Sequence, residues 1–204
     1  MDPIDRLSFL FEKFPGIGPR QARRFVQYLL STSPTTRQEL SEIIKKLGAE
    51  SRQCALCHRW FTKGGDAERC PICANPAREA GIIFVVEKDA DIENVERSGF
   101  RGLYFVLGGS IALASDEPEK QVRLRELLKR VDEDASTLKL NELILGLSAT
   151  TEGDHTREIL IEKLRPLSQS LNFRISSLGR GLSTGSELEY ADPDTIAQAL
   201  GNRH

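Results

Sequence analysis

Apolar residues recur at three- and four-residue spacing in "IDRLSFLFE" (residues 4–12), "QARRFVQYLLS" (21–31) and "RQELSEIIKKLGAE" (37–50), which predicts an N-terminal region of amphipathic helices. A turn rich in glycine and proline, "FPGIGP", separates the first two. From Gly81 the pattern changes: the apolar runs "IIFVVE" (82–87), "LYFVLGG" (103–109), "ELILGLSA" (142–149) and "FRISSL" (173–178) alternate with helical stretches at 89–98, 117–131 and 153–168. Strands without polar alternation, joined by helices, indicate βαβ units and a parallel sheet covered on both faces. In "DPDTIAQAL" Asp192 can cap a last helix whose first position is Pro193. The expected fold class is mixed α/β, with helices first and a mainly parallel sheet afterwards.

At 204 residues the chain is long enough for one or two domains with their own apolar core. No apolar run approaches the roughly 20 residues of a membrane span. The start, "MDPIDRLSFLFEKF", lacks the basic tip and unbroken apolar stretch of a signal peptide. These features place the chain in the cytoplasm. The net charge of −2 argues against a protein that coats nucleic acid indiscriminately, but it is unevenly spread. Residues 1–50 and 51–80 each carry a surplus of two positive charges, and residues 81–204 a surplus of six negative ones. That asymmetry is compatible with a local DNA-binding face, but by itself it reads better as an ordinary solvated surface.

Cys54, Cys57, Cys70 and Cys73 form the pattern C-x2-C-x12-C-x2-C. Each C-x2-C turn directs two thiolates at one ion, and two such turns supply the tetrahedral sulfur shell that Zn2+ favours. A reducing cytoplasm disfavours the alternative, disulfides. Four thiolates leave no open coordination position, so the expected zinc is structural. His58 adjoins the shell as a bystander.

In "FPGIGPRQARRF" Gly16 and Gly18 let the backbone approach a ligand, and the following helix start offers unpaired N–H groups to a phosphate. Arg20 and Arg24 share one helix face, with Arg23 beside them. The segment resembles the helix-hairpin-helix motif, which grips the DNA backbone without reading bases; Ile17 is then expected to be buried under the turn. A plain bend between two helices is the alternative.

Glu87 ends the first apolar run after Gly81, and Glu152 and Asp154 follow the third. Groups at the carboxyl ends of neighbouring parallel strands converge on one crevice, and a cluster of carboxylates suits Mg2+. This layout resembles the Toprim domain, with Glu152-Gly153-Asp154 in place of the family's Asp-x-Asp pair. The change leaves coordination open and speaks against catalysis. Acids that merely begin the next helix are the competing reading.

The order of these parts, with "ERCPICANPAREAGIIFVVEKDADIENVERSGFRGLYFVLGG" and the closing "GRGLSTGSELEYADPDTIAQAL", resembles the RecR family of recombination mediators over essentially the whole chain. On that resemblance residues 1–50 are a helix-hairpin-helix DNA-binding region, 51–80 a four-cysteine zinc finger, 81–176 a Toprim domain, and 177–204 a Walker B-like segment and helix. Two departures stand out: a long stretch between the cysteine pairs, and "STGSELEY" where a more glycine-rich version is expected.

The resemblance implies a non-catalytic DNA-repair protein. It would form a ring-like homotetramer on single- and double-stranded DNA with little sequence preference, and work with RecO and RecF to load RecA on single-stranded DNA. It assigns Arg20 and Arg24 to DNA contact and Glu152 to contact with RecO. The Walker B-like tail does not imply ATP hydrolysis, because the chain has no phosphate loop. Among its tyrosines, Tyr28 and Tyr104 are expected in the core. Two other classes stay open: a Mg2+-dependent Toprim nuclease using Glu87, Glu152 and Asp154, and a zinc-stabilised scaffold that binds only protein.

Overall fold

The structure, a computed structural model, describes residues 1–115, 117–137 and 140–202. They divide into two compact units, Met1–Arg52 and Gln53–His204. Residues 203–204 of the last expected segment lie outside the described residues.

The first unit consists of α1 (Pro3–Phe11), α2 (Pro19–Ser31) and α3 (Pro34–Glu50). Each begins with proline, whose fixed φ suits a first helical position that needs no N–H. Asp2 caps α1, its carboxylate accepting from the N–H groups of Ile4 (2.8 Å) and Asp5 (2.9 Å). Phe11 ties α1 to α2 by meeting Phe14 and Phe25 edge-on, at 5.7 and 5.6 Å between centroids. Little else of this unit is covered. Ala22 and Val26 are its buried apolar residues, α3 buries none of its own, and Tyr28, expected in the core, is exposed.

The second unit holds the main core. Cys54 N–H donates to Arg59 O (2.8 Å), closing a hairpin between β1 (Ser51–Gln53) and β2 (Trp60–Thr62). The short α4 (Pro71–Ala74) carries the last two cysteines toward β3 (Glu79–Val86), which is followed by α5 (Asp89–Arg97) and β4 (Gly102–Val106). Then come α6 (Pro118–Gln121), α7 (Leu124–Thr137), β5 (Glu142–Gly146), α8 (Thr151–Leu171), β6 (Arg174–Ser177) and α9 (Pro193–Gly201). Strands β4-β3-β5-β6, in that order, make one parallel sheet in which Val85 pairs with Phe105 on one side and Leu145 on the other. Both faces are dry. Ile83, Val85, Phe105, Leu143 and Leu145 pack with Leu127 and Val131 of α7 and Leu160 and Leu164 of α8, while Phe84, Val86, Tyr104 and Val106 cluster with Ile92 of α5.

Two boundaries differ from expectation. The strands stop before their apolar runs do, because the final residues serve as βα turns: Leu107 N–H reaches back to Val86 O (2.8 Å) and Gly108 N–H to Glu87 O (2.9 Å). The helix expected at 117–131 is two, broken where Arg123 N–H turns to Leu107 O (2.8 Å). The segment "GSELEYADPD" holds a 3-10 turn at Leu188–Tyr190, with Tyr190 exposed. Among the described residues no helix is long and apolar enough to cross a membrane.

Candidate metal centre and nucleic-acid interface

The thiols of Cys54, Cys57, Cys70 and Cys73 all lie within 4.8 Å of one another. None is in a disulfide; the Cys57–Cys70 Sγ separation is 3.6 Å, far from a disulfide's ~2.05 Å. Four sulfurs at ~2.3 Å from a central Zn2+ would stand about 3.8 Å apart, so the set fits the ion. The surrounding chain is committed to the cluster: Cys54, Cys57 and Cys70 are buried, and Cys70 N–H donates to Cys54 Sγ (3.3 Å). Hydrogen bonds from Cys57, Cys70 and Cys73 pull the Cys54 thiol far below its ordinary value, and the same neighbourhood pushes Cys57 and Cys73 far up. Cys70 is lowered as well, to about 6, so two thiolates are stabilised at the expense of Cys57 and Cys73, and a bound cation would let all four ionise. His58 lies outside the shell, with left-handed backbone (φ 60°) and its ring edge-on to Phe105 at 5.3 Å.

In the first unit Gly16 has φ +75°, a conformation a side chain disfavours, and Gly18 caps α2 without a side-chain bond. No atom lies within 4 Å of where a Cβ would stand on either, so the backbone is open to a ligand. Arg20, Arg23 and Arg24 are exposed, and among the described residues no carboxylate pairs with them. Ile17 is only half-buried, a correction to the expectation that it lies under the turn, which Phe11, Phe14 and Phe25 hold instead. Lys13 leans over the Phe9 ring at 4.8 Å.

The acidic residues are placed at the carboxyl ends of the strands but are already engaged. Glu87, buried directly after β3, accepts from Ser148 N–H (2.8 Å) and Ser148 Oγ (2.7 Å). Asp154, in the first turn of α8, accepts from Arg180 at both oxygens and from Arg157. The Arg180 guanidinium, aided by Arg157, holds its carboxyl down at about 2. Glu152 is exposed. Among the described residues these three do not gather as one ligand group; the four cysteines do. Ser148 and Arg157, the partners that decide this, were not legible beforehand, and Arg180 was visible only as part of "GRGLS".

Residues 81–176 match the Toprim domain family and residues 181–204 the family described as "RecR, C-terminal". The chain is similar to Recombination protein RecR of Mycobacterium avium, 38% identical over 203 residues spanning 99% of this chain and 95% of the relative. The protein of that name from Chloroflexus aggregans is 39% identical over 98% of this chain and 93% of its own length, and that from Bifidobacterium longum subsp. infantis 36% identical over 98% and 94%. The chain belongs to the RecR family.

RecR membership implies a part in recombination and DNA repair. It also gives the parallel sheet its name, Toprim, and makes the converging thiols a RecR four-cysteine site. Within the RecR frame this chain's Glu152-Gly153-Asp154 is tightly built. Ser148 O lies 2.0 Å from where a Gly153 Cβ would stand, so the residue between the two acids has no room for a side chain.

Proposed function

We propose that this RecR-family protein is a non-catalytic DNA clamp that works with RecO and RecF to promote RecA loading on single-stranded DNA. The observation that carries the reading is the exposed, unpaired trio Arg20, Arg23 and Arg24 at an open helix start with glycines at 16 and 18. Such a surface takes phosphates with affinity that depends on salt and hardly on sequence. Zinc held by Cys54, Cys57, Cys70 and Cys73 would be structural, supplying folding energy to a segment with little apolar core of its own.

The acidic cleft is read as a partner surface. For Mg2+ to bind there it would have to displace Arg180 and Arg157 from Asp154 and Ser148 from Glu87, which argues against the nuclease reading. Glu152 is exposed and free to meet a partner such as RecO. The boundaries adopted are 1–50 for DNA binding, 51–80 for zinc, 81–176 for Toprim and 177–204 for the closing segment. A homotetramer is supported by the first unit's uncovered apolar surface, a cavity of about 860 Å3 between α1, α2 and α3 lined by Leu10, Phe11, Leu30, Leu40 and Ile44.

The test is fluorescence anisotropy of a labelled oligonucleotide. Arg20→Ala with Arg24→Ala should weaken binding and flatten its salt dependence by about one to two ion equivalents. Glu87→Ala should leave binding intact. Mg2+-dependent DNA cleavage by the purified protein that vanishes in Glu87→Ala would overturn the reading.

A further inference from the structure

We propose that Trp60 and a basic cavity beside it form a second contact for single-stranded nucleic acid, on the zinc-bearing unit. The site deepens the DNA-binding reading above and rests on it. Trp60 is the chain's single tryptophan, and it is 55% exposed on β2. Its backbone N–H is tied to Asp89 Oδ1 (3.0 Å). Its indole Nε1 donates to the side-chain oxygen of Gln53 (3.3 Å), with the Gln53 amide oriented to face its donors. The ring is therefore held by its edge, and among the described residues no other aromatic ring stacks on it.

The same Gln53 oxygen accepts from Arg123 NH2 (3.0 Å), which sets a guanidinium beside the indole. The other terminal nitrogen of Arg123 donates to Val106 O (3.1 Å). Both acceptors are neutral and orient the cation, and the carboxylate that acts on its charge is Asp89, the one that holds the Trp60 backbone. Arg123 also lines a cavity of about 350 Å3 with Lys120, Arg125, Gly108 and Glu126. Lys120 pairs with Glu117 at 2.6 Å, but both are well exposed, and such a pair exchanges readily for a phosphate. An anchored, open indole beside a cavity lined by Lys120, Arg123 and Arg125, with Glu126 in its wall and Asp89 and Glu117 at its margin, matches the chemistry of a nucleotide: a base on the ring, its phosphate among the cations. Stacking requires an unpaired base, which commits the site to single strands over duplex.

Because Trp60 stands alone, its emission reports the contact directly. Full-length protein titrated with an oligothymidylate of about 16 nucleotides should show quenching that a duplex of equal length does not produce. Trp60→Ala should lose about tenfold in single-strand affinity by anisotropy, with zinc content and duplex affinity unchanged, and Trp60→Phe should retain most of the affinity. Lys120→Gln with Arg125→Gln should weaken the quenching, whereas Arg20→Ala with Arg24→Ala should leave it saturable. Unchanged emission while the labelled oligonucleotide still binds would overturn this site and leave the helix-start reading standing. Loss of all binding would overturn both. Equal quenching by polyglutamate would overturn the nucleic-acid assignment in favour of an acidic peptide.

Discussion

A Cβ on Gly153 would lie 2.0 Å from Ser148 O and 2.9 Å from its carbonyl carbon, and Ser148 is the residue that holds both oxygens of Glu87. Alanine ordinarily improves a helix by up to ~1 kcal/mol over glycine. Here the obstacle is backbone, which no rotamer change relieves, so strain should win. Gly153→Ala is expected to cost about 1–3 kcal/mol in urea denaturation. Arg180 offers the opposite case: Asp154 and Arg180 are 37% and 28% exposed in their side chains, so the pair is worth at most ~1 kcal/mol after solvent screening. Arg180→Ala should therefore leave global stability nearly unchanged and raise amide exchange across residues 178–202. The pH dependence follows from the depressed carboxyl: Asp154 contributes above its ordinary value of 3.8 and loses that contribution as pH falls toward about 2. Protection of 178–202 should fall over that interval in the wild type, and Asp154→Asn should lack the step.

At the scale of elements, the parts set by local chemistry were legible and those set by distant partners were not. The buried strands appear as apolar runs because alternate side chains, Val85 and Val86 for example, each find a dry face. Proline starts α9 as its pattern predicts, but Pro19 belongs to the helix rather than to the turn, so α2 begins two residues before its apolar periodicity does. The break between α6 and α7 depends on a bond from Arg123 to Leu107, far apart in sequence, and no local pattern announces it. Tyr104 was placed correctly in the core, yet nothing foretold that its hydroxyl donates to Glu96 (2.6 Å), which also takes Arg78. The four-cysteine cluster, by contrast, was legible from spacing alone, since ligand geometry is local. Its removal should act locally too. Cys70→Ser, or chelation of the proposed zinc, is expected to expose residues 54–75 to amide exchange while residues 143–145 and 160–164, within the sheet and α8 core, stay protected.

For the whole molecule, the first unit leaves Leu40, Ile43, Ile44 and Leu47 of α3 exposed, more apolar surface than a free 52-residue unit would be expected to tolerate in water. Ile44→Glu with Leu47→Glu should reduce the mass measured by light scattering and weaken DNA binding through lost multivalency. A wild-type protein that is monomeric with and without DNA would refute the ring. The sheet has a further consequence. β4 is its outermost strand, yet all five of its residues are buried, and Val106 N–H at its end donates to Cys57 O (2.8 Å) in the cysteine-bearing turn. An edge this apolar is a template for pairing with another chain. The thiol cluster thus stands guard over a strand it does not belong to, and oxidation of those four thiols is expected to uncover the edge and turn a repair protein into a seed for aggregation.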